Sequence, residues 1–208
     1  MPRPDQMTGQ TFTYGDYCRW PDEERWELID GVPFDMTPAP SRQHSLVSGE
    51  LEGILREFLR GKPCEMHHAP FDVRLPKGGE ADEEITTVVQ PDILIVCDEK
   101  KLDDKGCRGA PDLVIEILSP STSSRDHITK KRLYERHGVK EFWIVSPTDR
   151  RIIVYALGAD RRFEEAVIFS DVEIMPCKLF PGLEIDLGRV FASVPRRIVK
   201  ESPKKYQV

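Results

Sequence analysis

Two segments of the chain are almost continuously apolar: PDILIVC (91–97) and PDLVIEIL (111–118). Runs this rich in Ile, Val and Leu read as strands covered on both faces. RWELIDGVPFDM (25–36) sets apolar residues on either side of Asp30-Gly31, a hairpin signal. Between Ser41 and Leu59, residues His44, Val47, Leu51, Ile54, Leu55 and Phe58 recur at helical spacing. Ser41 serves as the N-cap of that helix and Gly61 stops it. CEMHHAPFDVRLP (64–76) reads as a strand with Pro70 at a bulge or an edge, and KGGEADEE (77–84) as an acidic turn. SPSTSSRD (119–126) is a capping loop, followed by a helix to about His137 with Gly138 behind it. EFWIVSP (141–147) and RIIVYAL (151–157) are strands joined at Thr148-Asp149. FEEAVIF (163–169) is a further strand, and PGLEIDLGRVF (181–191) ends in a short helix or an edge strand.

This order predicts an α/β (α+β) layer architecture, a mixed central sheet flanked by helices. Residues 1–24 form an N-terminal arm with a short helix around Thr13 to Arg19, 25–195 the folded domain and 196–208 a basic tail. No internal repeat interrupts this plan.

The two apolar strands each carry one acid, Asp92 in the first and Glu116 in the second. If they pair antiparallel through the polar loop 98–110, the centre is residue 104 and the two acids are equidistant from it. They then face each other with Cβ atoms roughly 4.5–5.5 Å apart. Like charges that close repel, and a divalent cation removes the conflict. Mg²⁺ is usually held by one or two carboxylates, waters and substrate phosphate oxygens. The alternative is structural: one acid faces a loop and the other pairs with a nearby Arg or Lys. A register slip of one residue would send the acids to opposite faces.

The second helix, RDHITKKRLYERHG (125–138), sets Asp126, Lys130, Tyr134 and His137 on one stripe. It follows directly from the strand of Glu116, so Lys130 is within reach of the acids. The competing reading is a surface Asp126–Lys130 pair with Tyr134 packed on the sheet. His44 lies on the apolar face of the first helix, where a hydrogen-bonded core role competes with a ligand role, and Glu50 falls off that stripe. His67 and His68 point to opposite faces of a strand, so at most one of them joins a site. Two acids, a lysine and a metal are the parts of metal-dependent phosphodiester hydrolysis. No glycine-rich phosphate loop, GxSxG elbow or HExxH helix occurs.

Length and charge narrow the class. The 208 residues fit one domain, with 39% hydrophobic and 32% charged residues. No apolar run has the length of a membrane span, and the N-terminal stretch lacks a signal-peptide core, which points to the cytoplasm. The net charge of −6 argues against a surface that binds nucleic acid everywhere, but not against a local basic cleft. Lys and Arg gather at 125–136, at Arg150-Arg151 and in the tail 196–205, and the tail reads as a solvated run. The five cysteines form no CxxC pair and read as reduced thiols.

The ordered run PDILIV…GAPDLVIEILSPSTSSRDHITKKRLYERHGVKEFWIVSPTDRRIIVY resembles the Uma2-type family of restriction-endonuclease-like proteins. The upstream pieces ELIDGVPFDM (27–36) and His44 at a helix start match as well, so the resemblance spans roughly residues 12–157. It implies the PD-(D/E)XK nuclease superfamily, with Asp92 as the Asp of the PD element and Glu116 as the acid of the next strand. The superfamily places a lysine two residues later, where this chain has Leu118. The resemblance supplies Lys130 from the following helix instead, with Lys131 as fallback. Tyr134 and His44 match family positions as phosphate contacts or supports. On this reading Asp92 and Glu116 hold the metal, and the carbonyl of Ile117 is expected as a further ligand. The implied cofactor is Mg²⁺ or Mn²⁺, the implied substrate DNA, and the implied assembly a homodimer. Two rival readings stand beside it: a catalytically inactive nuclease-fold binding or assembly module, and a hydrolase acting on RNA or nucleotides.

Overall fold

The computed structural model describes residues 9–21, 24–36, 39–119 and 124–195, those at 124–127 by backbone alone. Its elements run in chain order. The N-terminal part holds α1 (Tyr14–Tyr17), β1 (Trp26–Ile29), β2 (Val32–Asp35), α2 (Arg42–Leu59), β3 (Glu65–His68) and β4 (Val73–Arg74). The middle holds β5 (Val88–Val89), β6 (Ile93–Val96), β7 (Leu102–Asp103), β8 (Gly106–Arg108), β9 (Leu113–Ile117) and α3 (Ser124–His137). The last part holds β10 (Glu141–Ser146), β11 (Arg151–Ala156), β12 (Val167–Ser170), β13 (Ile174–Pro176), β14 (Glu184–Asp186) and α4 (Leu187–Val190).

The larger layer is a mixed sheet in the order β12-β11-β10-β9-β6-β3. Only β9 and β10 run parallel, and α3 is the crossover between them. The alternation of the pleat divides the core in two. Ile93, Ile95 and Ile115 face the apolar stripe Val47, Leu51 and Leu55 of α2. Leu94, Val114, Phe142 and Ile144 face Leu133 and Tyr134 of α3. Ser41 caps α2 through the N–H of His44 at 3.3 Å, as the sequence predicts, worth about 1 kcal/mol.

The expected mixed sheet is accompanied by a second six-stranded sheet and by a two-stranded one, β13-β14. The second six-stranded sheet, β2-β1-β5-β4-β8-β7, is assembled from the hairpin, the end of the expected strand 64–76, residues 88–89 and the expected loop 98–110. Its strands β4, β5 and β7 have two residues each, too short to show a period. The expected strand 64–76 divides at Pro70, with β3 on the edge of the larger sheet and β4 inside the smaller. Proline has no N–H to continue a ladder. The β1–β2 hairpin turns through Asp30 and Gly31 at φ of 50° and 81°, the left-handed pair that Asp-Gly accommodates. Phe12 and Tyr14 are buried against Leu28, Ile85 and Val88, so this part of the N-terminal segment packs on the smaller sheet. Fully buried Arg74 joins Asp103 at 2.6 Å and Asp82, tying the acidic turn to the β7–β8 hairpin.

The expectation of five reduced thiols is corrected: Cys64 and Cys97 form a disulfide. The β3–β6 register sets Glu65 opposite Val96, and one further step sets the two cysteines opposite each other with Cα atoms 4.0 Å apart. Cys18, Cys107 and Cys177 are free. The stretch 196–208 and the side chain of Asp126 lie outside the described residues.

Candidate active site

Strands β6 and β9 pair antiparallel with Ile93 opposite Ile115, a register symmetric about residue 104. Continued by one residue it sets Asp92 against Glu116, as the numbering predicts. Asp92 is held on both oxygens. His44 Nε2, brought by the first turn of α2, lies 3.0 Å from Oδ1. The N–H of Ile117 donates to Oδ2 at 2.6 Å.

Glu116 is held from α3. Lys130 Nζ and Tyr134 Oη both donate to Glu116 Oε1, at 3.0 and 2.6 Å. Lys and Tyr four residues apart share a helix face, which explains why the stripe in the sequence converges on one oxygen. Lys130 also donates to Oε1 of Glu27 on β1 at 2.9 Å, and Glu27 in turn accepts the N–H of Gln90 at 3.0 Å. An ammonium group 7% exposed therefore bridges two buried carboxylates. Burial pushes the Glu116 carboxyl up to about 8, with the charges of Asp92 and Glu27 adding to the rise and Lys130 and Tyr134 opposing it. Burial and the adjacent carboxylates also raise the Tyr134 phenol far above its ordinary range, so it stays a donor.

These groups, Tyr134 and Gln90 excepted, line one cleft of about 380 Å³. Asp92, Glu116, Ile117, Leu118, Lys130 and His44 all reach its wall. Tyr134 is fully buried behind Glu116, which leaves it a supporting contact and not a phosphate contact. Lys131 is not brought to the cleft: its Nζ sits 4.5 Å over the ring of Tyr155. His68 lines the cleft while His67 stacks on Phe71 with centroids 4.1 Å apart, the division that strand alternation predicts. Glu50 points away, to Arg189 at 3.3 Å.

Three acids of the cleft do not appear in the sequence reading: Glu27, Asp35 and Glu52. Glu27 carries the same signal that singles out Asp92 and Glu116, an acid in a buried strand, WELI. Set against five carboxylates, the cleft wall has two full cations, Arg25 and Lys130. That excess of negative charge suits a divalent cation. Among the described residues no three or more His, Cys, Asp or Glu side chains converge as a complete ligand set. Both hydrogen bonds to Glu116 fall on Oε1, which leaves Oε2 for another partner. The donors thus fit an ion that accepts two carboxylates and keeps waters, as Mg²⁺ and Mn²⁺ do, and do not fit a tetrahedral zinc centre.

The sequence model of the Uma2 family, described as "Putative restriction endonuclease", matches residues 14–188. The chain belongs to the Uma2 family. That match embraces every cleft residue named above. The Uma2 chain is also similar to the protein slr1290 of Synechocystis sp., 27% identical over 148 residues that cover 70% of this chain and 74% of that one. Its fold is shared with a crystal structure described as a "putative nuclease belonging to DUF820" from Anabaena variabilis. That likeness has a TM-score of 0.69 at 20% identity, over 87% of this chain and 98% of the other. The restriction-endonuclease-like fold expected from the sequence is therefore the fold of this Uma2 protein. Among the described residues no helix is long and apolar enough to cross a membrane.

Proposed function

We propose that this Uma2 protein is an Mg²⁺- or Mn²⁺-dependent endonuclease that hydrolyses phosphodiester bonds of DNA. The observation that carries the reading is the convergence of Asp92, Glu116 and Lys130 on one cleft wall, each fixed by a second buried contact. Asp92 and Glu116 would hold the ion, with the carbonyl of Ile117 as a further donor. Once bound, such an ion polarises a phosphate oxygen and lowers the pKa of a water.

The remaining work falls to the chain's own groups. His44 and the Ile117 N–H orient Asp92. Tyr134 orients Glu116 from behind. Lys130 presents a fixed positive charge to a phosphate whose equatorial oxygens gain charge in the transition state. It takes the place of the superfamily lysine where Leu118 stands, and Leu118 lines the same cleft. Cutting both strands of a duplex calls for two such sites. Val167 and Ile168 on the edge strand β12, with Val172 and Ile174 just after it, are 52–79% exposed and support an isologous homodimer at that edge.

The test is Mn²⁺ titration by calorimetry on wild type and on Asp92→Ala with Glu116→Ala, followed by plasmid nicking on the same samples and on Lys130→Ala. Metal binding lost in the double variant, with nicking lost in all three substitutions, supports the reading. Wild type that binds no Mn²⁺ at millimolar concentration and nicks nothing would leave an inactive nuclease-fold module. Cleavage of RNA in preference to DNA would move the substrate but keep the site.

A further inference from the structure

The helix that brings Lys130 to the cleft has a second charged face. Lys131, Arg132 and Arg136 on α3 and Arg161 and Arg162 in the turn after β11 line a groove of about 750 Å³ beside the ring of Tyr155. Five cations meet one carboxylate there, Glu135, in a chain whose acids outnumber its Lys and Arg by 36 to 30. Glu135 is already committed, accepting from Arg162 at 3.3 Å and from the N–H of Phe163 at 2.8 Å. Arg136 turns to Asp30 at 3.0 Å. Among the described residues Lys131, Arg132 and Arg161 have no carboxylate partner. Arg161 stands at φ 61°, a conformation a side chain rarely adopts, and its guanidinium lies 3.1 Å from where a Cβ on Gly138 would sit. The turn thus places an arginine against the end of α3 at a position where glycine or asparagine is the comfortable residue.

Helical geometry separates the two faces. Lys130 and Tyr134 lie within about 40° of each other, whereas Arg132 and Glu135 lie roughly 140–200° around the axis from Lys130. The groove is therefore distinct from the cleft. The cleft wall carries more acids than cations even with Glu116 protonated, so it repels a polyanion that approaches without a metal. Attraction then comes from another surface, and among the described residues this groove gathers three cations that have no carboxylate partner. An open row of Lys and Arg beside an aromatic ring suits the sugar-phosphate backbone, which is held by charge and read without sequence.

We propose that the groove between α3 and the 158–162 turn is an auxiliary docking track for the phosphate backbone of duplex DNA. It keeps nucleic acid on an otherwise acidic protein while the cleft stays accessible. The choice of DNA as ligand rests on the nuclease reading of the cleft; the groove itself does not.

The experiment is fluorescence anisotropy with a labelled 20-base-pair duplex in EDTA, over a series of salt concentrations, on wild type, R132E/R161E and R132K/R161K. Thermal melts confirm that the charge-reversed protein stays folded, as expected for two exposed arginines. We expect R132E/R161E to weaken binding at least tenfold and to lower the salt slope by about 2, since each lost phosphate contact removes about 0.9. R132K/R161K should keep most of the affinity. Equal affinity and slope in wild type and the charge-reversed variant would overturn the docking track, as would a wild type that binds no duplex at low salt. Plasmid nicking with Mn²⁺ separates the two readings. Binding lost in R132E/R161E with no nicking by any sample keeps the track and sinks the nuclease, and the reverse pattern does the opposite.

Discussion

Lys130 Nζ lies 2.9 Å from Oε1 of Glu27, across 103 positions of the chain. The contact joins the second sheet to the helix that serves the first. Because the same ammonium also reaches Glu116, Glu27 sets where the lysine stands relative to that acid. A buried pair that loses one member leaves the other uncompensated, at a cost of about 3–5 kcal/mol. Glu27→Ala is expected to destabilise the protein by that order in urea unfolding and to abolish nicking. Glu27→Gln, which keeps the shape and the acceptor, should cost less. A loss under about 1 kcal/mol for Glu27→Ala would mean that water or Glu116 alone satisfies Lys130.

Glu116 gives the protein a pH dependence with a definite sign. Its folded value of about 8 lies above the ordinary carboxylate value of about 4.3. Between those two values the folded chain holds a proton that the unfolded chain has released. Stability of the metal-free protein therefore falls as pH rises from about 4.3 to 8, by at most about 1.4 kcal/mol per unit. On the proposed metal site, which needs the carboxylate, Mn²⁺ affinity is expected to rise over the same window, and binding at pH 7 to release up to one proton. Calorimetry at pH 7 in buffers of different ionisation enthalpy counts that proton, and a count of zero would contradict the raised value.

Lys130 and Leu118 line the same cleft. If the lysine acts as a positioned charge, that charge is portable. Lys130→Ala is expected to reduce nicking by about 10²–10³-fold, the usual cost of one lost transition-state donor. Adding Leu118→Lys to that variant should recover at least tenfold, because Leu118 lines the same cleft as Lys130. No recovery in a folded double variant would assign Lys130 to holding Glu27 and Glu116 instead.

Cys64 and Cys97 close a separation of 33 residues. Constraint of the unfolded chain by such a loop is worth about 2–4 kcal/mol. Dithiothreitol, or Cys64→Ala with Cys97→Ala, is expected to lower the melting temperature by several degrees. Titration of thiols in denaturant without reductant should find three, from Cys18, Cys107 and Cys177. Finding five would remove the disulfide.

What the sequence determined by itself was local or nearly so. The apolar runs define β6 and β9, and antiparallel pairing across the 97–112 connection, centred on residue 104, brings Asp92 to Glu116. Helical spacing and Ser41 define α2, so His44 falls at its start. Helical spacing alone puts Lys130 and Tyr134 on one face of α3. The tertiary structure decided everything that depends on segments far apart in the chain. Four of the six strands of the smaller sheet have two or three residues, and their stability comes from neighbours and not from pattern. Only its packing places Glu27 under Lys130, and only the β3–β6 register joins Cys64 to Cys97. The physical reason is that hydrophobic periodicity records which face of an element is buried. It carries no record of which distant element does the burying.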